Sequence, residues 1–354
     1  MAYTTIDDPS AHFQTTLYTG SGSPQDITNG GNSDLQPDMV WIKLRDSNNG
    51  APHISDSTRG VSTNTGKYVR SDSSAAESDD SNGIRAFNTD GFKTGDGWFN
   101  GASSSPYVAW QWKANGGTTS SNTDGDITTT VQVNQTAGFS IMTYTGNGSN
   151  NQTLGHGLNA VPKMFLFKRR NTTASWIVGF SGNMIGGTSN YLLLNGDQGN
   201  STYNNLFGDS APSTTLMRVA GDAGVNASGS TYVCYAFAEK QGFSKIGKFV
   251  GAGSNSPFIY TGFKPAFVMI KRYDTSNSWG IVDNKRETYN GATKTLFADL
   301  LNAESSTYTL DLLSNGFRPN SNHSIFNQSA GQYIFMAFAE NPFVTSTGIP
   351  TTAR

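Results

Sequence analysis

The chain has 354 residues, 35% hydrophobic and 14% charged, with a formal net charge of −2. Its length suggests two or three domains, and the near-neutral balance, with no basic block, offers nothing to displace counterions from phosphates, so nucleic acid is excluded as an expected partner. No apolar run approaches the roughly 18–20 residues of a membrane-spanning helix, which excludes membrane insertion by that route.

The polar share is Ser, Thr, Asn and Gly, with 40 glycines and 12% aromatics. A disordered chain would combine a missing core with high net charge, whereas this mixture suits short strands joined by Gly- and Asn-rich turns. The expectation is an all-β, loop-rich protein with little helix. Cys234, the single cysteine, lies in an apolar run; it reads as a buried free thiol and rules out an internal disulfide. The first residues, MAYTTIDDPSAHF, have neither a basic nor an apolar signal region, so synthesis without an export signal is expected.

Residues 1–12 read as an extended arm. From Phe13, FQTTLYTGSG alternates like a strand and ends in paired glycines; FSIMTYTGNG from Phe139 and FSKIGKFVGAG from Phe243 are its copies. The extra residue in the third copy predicts a β-bulge, and the Gly-X-Gly pairs predict turns with positive φ. They are not a dinucleotide fingerprint, because no third glycine opens a helix.

A Pro-led segment follows in each copy: PDMVWIKLRD (37–46), PKMFLFKRRN (162–171) and PAFVMIKRYD (265–274). The four-residue apolar runs predict strands covered on both faces. Lys43, Lys168 and Lys271, each six residues after its Pro, are expected to pack their stems while their ammonium groups reach water at the strand end. Next, Asp56-x-x-Arg59 and Asp283-x-x-Arg286 recur in the first and third copies but not the second. Such a pair either stabilises a turn or forms a ligand-binding edge.

FNTDGF (87–92) and LSNGF (313–317) predict hairpins, since Asp-Gly or Asn-Gly between apolar segments is a strong turn signal; the second copy has AGDAG (220–224) instead. Each copy closes with an aromatic strand, YVAWQWKA, YVCYAFAE or YIFMAFAE, lying 70, 70 and 68 residues after its Pro. Both faces of this strand are largely apolar, as in the centre of a sandwich.

The organisation expected is an N-terminal arm (1–12), a first β-sandwich module (13–114), a linker (115–138), a second module (139–241), a third (242–343) and a C-terminal arm (344–354). ITTTVQV within the linker could form a strand, but the Gly/Ser/Thr-rich stretch before it predicts that the first module can swing. The second and third modules, separated by four residues, must dock closely. LFADLLNAE (296–304) alone has a helical pattern.

The catalytic inventory is thin. His12, His53, His156 and His323 are isolated, and HExxH, GxSxG and Cys/His clusters do not occur. His156, in LGHGL, reads as a turn cap. Asp124-Gly125-Asp126 lacks the EF-hand loop pattern, and no carboxylate pair stands out for glycoside hydrolysis. The chain is therefore read as a non-enzyme with no cofactor and no metal. Trp98, Trp176, Trp279 and Tyr203 lie in Gly/Ser/Asn surroundings; exposed, such rings could stack a sugar, with Asp56, Arg59, Asp283 and Arg286 as further ligand candidates. Core packing is the competing fate of those aromatics.

PDMVWIKLRD, DSTRG, FNTDGF and YVAWQWKA, followed by SNTDGDITTTVQVNQTAGFSIMTYTGNG, LGHGLNAVPKMFLFKRR and FIYTGFKPAFVMIKR, resemble a domain of unknown function widespread in tailed phages, especially marine ones, and the repeats that follow it there. The resemblance runs from about Phe13 to Phe343. It implies a virion structural protein, often labelled a tail fibre, with tandem lectin-like β-sandwich or jelly-roll modules, assembled in the bacterial cytoplasm, and it transfers no catalytic residues. Expected partners are other virion proteins of tail or capsid and copies of itself. Two roles stay open: a tail adhesin binding host surface polysaccharide, and a capsid decoration or structural tail component without a ligand. A polysaccharide depolymerase is the rival from another class.

Overall fold

The computed structural model describes residues 2–351 except 48, 62–64, 98, 183, 188, 204, 205, 209 and 321, with the backbone alone at 80. The chain is almost entirely antiparallel β-structure, with one 3-10 turn at Pro9–Ala11. Among the described residues, its strands form three large sheets and three small ones, and each large sheet is built around one copy of the sequence repeat.

The same four strands lie side by side in every large sheet. The opening strands are Phe13–Thr19, Phe139–Thr145 and Ser244–Val250; each pairs with a closing strand, Pro106–Trp112, Thr231–Phe237 or Gln332–Pro342. The other edge of the closing strand takes the Pro-led strand, Met39–Leu44, Met164–Arg169 or Phe263–Arg272. A short fourth strand, His53–Asp56, Ile177–Phe180 or Gly280–Asp283, completes the set. The closing strand is thus paired on both sides, which is where a run apolar on both faces belongs.

Its two faces serve different cores in the first two repeats, while in the third both faces lie in one cluster. In the first repeat, Tyr107 and Ala109 pack with Val40, Ile42 and Phe92 between the large sheet and a three-stranded one. In the second, Tyr232, Cys234 and Ala236 do the same against Gln152–Gly155 and Leu216–Val219. The opposite face enters a cluster shared by all three large sheets. At its centre Trp112, Phe237 and Phe338, the matching residues of the three closing strands, form a triangle with ring centroids 6.3, 5.9 and 5.6 Å apart. Such aromatic pairs add about 0.5–1.5 kcal/mol each beyond the area they bury.

The Gly-X-Gly turns use their two glycines differently. Gly22, Gly148 and Gly253 have φ of 73°, 75° and 66°. Gly20, Gly146 and Gly251 are needed for space: a Cβ there would lie 2.3, 2.5 and 2.2 Å from the carbonyl oxygens of Ala102, Ala227 and Gln328. Each turn wraps a fully buried asparagine, Asn100, Asn226 or Asn327, whose Oδ1 accepts from the N–H of Ser21, Asn147 or Ala252. Sequence reading did not single out these asparagines, although each stands six or seven residues before its closing tyrosine.

The hairpins expected at FNTDGF and LSNGF are present, joining Ile84–Asn88 to Gly91–Thr94 and Leu310–Leu313 to Gly316–Pro319. The second repeat, without that turn, has a two-stranded small sheet. Three expectations need correction. The linker is no swing: Ser120–Asn122 and Thr129–Asn134 are strands that extend the second large sheet beyond its opening strand. LFADLLNAE is not helical; Leu296–Phe297 is a strand, and the N–H groups of Ala298 and Glu304 donate to Trp279 and Arg45. The backbone groups a helix would pair internally are taken by neighbouring segments. The extra residue of the third opening segment makes no bulge, since Ser244–Val250 pairs without a register shift; the irregularity falls at Pro265, which lacks an N–H to donate to the ladder.

Candidate functional site

The sequence-selected charges meet at the seams between repeats. Asp56 closes the fourth strand of the first repeat and turns the chain, its Oδ1 accepting from Arg59 N at 2.8 Å. Its Oδ2 accepts from Arg59 Nε at 2.5 Å and from the Tyr235 hydroxyl of the second repeat at 2.6 Å, while Arg59 Nη2 donates to that hydroxyl at 3.1 Å. Asp283 and Arg286 repeat the turn in the third repeat at 3.0 and 2.6 Å. There Trp110 of the first repeat replaces the tyrosine: its Nε1 donates to Asp283 Oδ2 at 2.9 Å, and Arg286 lies 5.7 Å from its ring centroid. The side chains of both pairs are fully buried. At the third seam the same positions carry Phe180 and Met336, both buried in the shared apolar cluster, so the second repeat lacks Asp-x-x-Arg because its seam is apolar.

A second layer of charge surrounds each polar seam. Glu77 pairs with Arg59 at 3.0 Å and with Arg170 of the second repeat at 2.9 Å; Glu304 pairs with Arg286 at 3.3 Å and with Arg45 of the first at 2.7 Å. Burial raises the Glu77 carboxyl, but the bonds and charges of Arg170 and Arg59 outweigh it and hold the group below the usual carboxylate range. The backbone bonds Glu77 N to Arg170 O and Glu304 N to Arg45 O have a counterpart in Asn200 N to Tyr273 O. The frame is common to three seams; the ion pairs occupy two.

The lysines are the clearest correction. Lys43, Lys168 and Lys271 are fully buried, and their ammonium groups do not reach water. Each donates to a carbonyl of its own repeat and one of a neighbour: Lys43 to Gly50 and Leu300 at 2.7 Å each, Lys168 to Ala174 and Ser74 at 2.6 and 2.9 Å, and Lys271 to Arg272 and Asp197 at 2.7 and 3.0 Å. Burial lowers all three to about 8. Between Lys43 and Lys271, burial pushes Asp299 up to about 6.

Trp176 and Trp279, expected on the surface, are 0% and 1% exposed. Their indole N–H groups donate across seams to Arg70 O and Leu193 O, each at 2.8 Å. Neither ring is open to a sugar: the Gly/Ser/Asn surroundings that suggested exposure are the loops of the adjoining repeats. Asp56, Arg59, Asp283 and Arg286 are likewise enclosed, and the turn reading holds for them. Tyr203 is 47% exposed, and Trp98 lies outside the described residues. His156 caps its turn as expected, its Nδ1 accepting from Leu158 N at 3.2 Å; burial lowers it to about 4 and leaves a neutral ring.

Polar clefts open on the third repeat and where it meets the first. Two clefts of about 240 and 260 Å³ share Asn284, Lys285 and Glu340. One is rimmed by Tyr289, which is 81% exposed; the other runs along Phe13–Thr15. Lys264 is ion-paired to Glu340 at 2.5 Å, and Glu287 accepts from Thr293 N, leaving Lys285 exposed and without an ion-pair partner among the described residues. Among the described residues there is no cluster of three or more metal-ligating side chains. The clefts offer amide, hydroxyl and ammonium groups, a set suited to recognition.

The model of a domain of unknown function (DUF7483) matches residues 8–342, a span that takes in every repeat and all three seams. No curated protein matches the chain.

Proposed function

The chain belongs to that family of unknown function, and on this premise we propose that it is a structural component of a phage particle, built as three tandem β-sandwich modules that close around a pseudo-threefold axis into one rigid body. The observation that carries the reading is where the ionisable groups go. Two Asp–Arg–Glu–Arg sets and three lysines are committed to joining one repeat to the next. The members of these sets are satisfied by one another and by backbone carbonyls, and a scaffold is the use that favours such cohesion.

The phage assignment rests on the resemblance of PDMVWIKLRD, DSTRG and the linker-spanning motif to phage virion domains. Within it, a structural role on tail or capsid is favoured over a glycan adhesin, because Trp176 and Trp279 are enclosed. A host-attachment role is the second reading, favoured by the exposed ring of Tyr289 beside a polar cleft.

Cryo-electron microscopy of purified particles of a phage that encodes this chain tests the proposal. The expected result is density for the three-module body on the particle exterior; absence from the particle overturns it. Release of oligosaccharides from host polysaccharide by the purified chain would replace the scaffold with a depolymerase.

A further inference from the structure

We propose that the free edge of the opening strand Phe13–Thr19 is a docking site for an extended segment of a separate polypeptide that carries an amide side chain opposite Thr15. The argument is a precedent inside the chain. In the second repeat, Phe139–Thr145 pairs with the closing strand on one edge and with Thr129–Asn134 on the other, which sets Gln132 opposite Ile141. Gln132 completes the seam to the first repeat: its Nε2 donates to Ser57 Oγ at 2.8 Å and Thr58 Oγ1 at 2.9 Å, and its Oε1 accepts from Gly117 N at 3.0 Å.

The seam between the third and first repeats has the same frame without the strand. Thr15 holds the register position of Ile141, opposite Trp110 as Ile141 is opposite Tyr235. Asn284 and Lys285 follow Asp283 as Ser57 and Thr58 follow Asp56. Among the described strands, Phe13–Thr19 pairs with the closing strand alone, and the 260 Å³ cleft lies beside it. Among the described residues, buried Thr15 Oγ1 and Asn284 Oδ1 on the cleft lining have no hydrogen-bond partner, and Thr15 is 6% exposed. Ala266, which follows its Pro as Asp38 follows Pro37 and whose O accepts from Asn284 N as Asp38 O accepts from Ser57 N, puts a methyl where the first repeat has a carboxylate.

The third opening strand is also an edge, but it is blunted: Glu239 Oε1 accepts from Ile246 N at 2.9 Å. One edge is therefore paired by the chain's own strand, one is capped by a side chain, and one is open. An open edge offers unpaired backbone groups, and an added strand gains affinity from them and specificity from alternate side chains. The orphaned Asn284 oxygen calls for a donor and the Lys285 ammonium for an acceptor, which a carboxamide supplies together. The chain's own N-terminal segment lines one end of the cleft at Ser10, whose carbonyl accepts from Gln14 Nε2 at 3.0 Å, but forms no strand pairing with the edge among the described residues. It runs onto the third repeat, where Tyr3 bonds Gly262 O and Thr4 bonds Gln241 O.

The test uses the full chain carrying Leu17→Cys and a synthetic peptide of residues 127–135 with Thr130→Cys, in a glutathione redox buffer, with the disulfide located by mass spectrometry; Thr130 is opposite Thr143, whose register position Leu17 holds, so Gln132 and Lys285 are both kept. A control peptide carries Val133→Cys instead, which points to the other face. The expected result is coupling at position 17 about tenfold faster for the first peptide than for the control, with none on the unsubstituted chain, whose Cys234 is buried. Equal rates for the two peptides, or no coupling, overturn the proposal. Sedimentation decides the occupant: a chain that stays monomeric supports a separate polypeptide, and one that self-associates until the peptide dissolves the dimer makes the occupant a second copy and overturns that assignment.

Discussion

The hydroxyl of Tyr235 donates to Asp56 Oδ2 at 2.6 Å although the two residues lie 179 positions apart. It also accepts from Arg59, so one phenol completes a buried ion pair that belongs to a different repeat. A hydrogen bond to a charged group contributes about 1.5–3 kcal/mol. Tyr235→Phe is expected to lower stability by that amount in urea unfolding, and Asp56→Asn, which strands Arg59 without its charge, by about 3–5 kcal/mol. Unchanged midpoints for both would mean the seam does not carry the load assigned to it.

The seam lysines give a pH signature with a definite sign. Their folded values of about 8 lie below the unfolded 10.5. Below pH 8 both states hold the proton and the burial penalty is complete; between 8 and 10.5 the folded state sheds protons that the unfolded state keeps, so stability rises with pH. Each lysine adds at most about 1.4 kcal/mol per pH unit across that window. Urea unfolding between pH 8 and 9, below the range where tyrosines titrate, should show the rise, and Lys168→Met should reduce its slope. A stability that falls across that window would contradict the assignment.

Gly20→Ala, Gly146→Ala and Gly251→Ala should each destabilise the chain by about 1–3 kcal/mol, because the new methyl meets a backbone carbonyl that cannot move aside as a side chain would. Thermal melts of the three variants would check this. A melting temperature equal to that of the parent at all three sites would remove the close-approach argument.

Trp176→Ala is expected to cost about 3–5 kcal/mol, as for other large core truncations, whereas Tyr203→Ala should stay within about 0.5 kcal/mol. Calorimetry of both variants separates the two residues that sequence reading had grouped as surface aromatics. A stable Trp176→Ala would return that ring to the surface.

The shared aromatic triangle and the cross-seam bonds make one cooperative unit. A single unfolding transition is expected, with fluorescence and circular dichroism coincident. Two separated transitions would show that a repeat unfolds by itself.

The strands were legible because they depend on local pattern. The Pro-led runs, the closing strands and the Asx-Gly hairpins carry their own periodicity and turn chemistry, and they lie where the sequence puts them. The seams were not legible, because nothing near Asp56 announces Tyr235 and nothing near Lys43 announces the Leu300 carbonyl. Trp176 and Trp279 were misplaced for the same reason: their polar neighbours suggested solvent, but another repeat covers them. LFADLLNAE had a helical pattern, yet its backbone was claimed by Trp279 and Arg45. The turn role of Asp-x-x-Arg was open to reading from local spacing; its burial was not.

Asp7 accepts from Ser346 N at 2.6 Å, so the two ends of the chain lie side by side. Two of the three seams are bridged by continuous polypeptide between repeats, through 115–138 and 239–242, whereas the seam from the third repeat to the first is held by packing, side-chain bonds, the backbone bond from Glu304 N to Arg45 O and the N-terminal segment laid on the third repeat. That seam is the clasp of the body. A partner seated beside Thr15 and Asn284 would lock the joint that no linker between repeats tethers, and incorporation into a larger assembly would then harden the protein as it is installed.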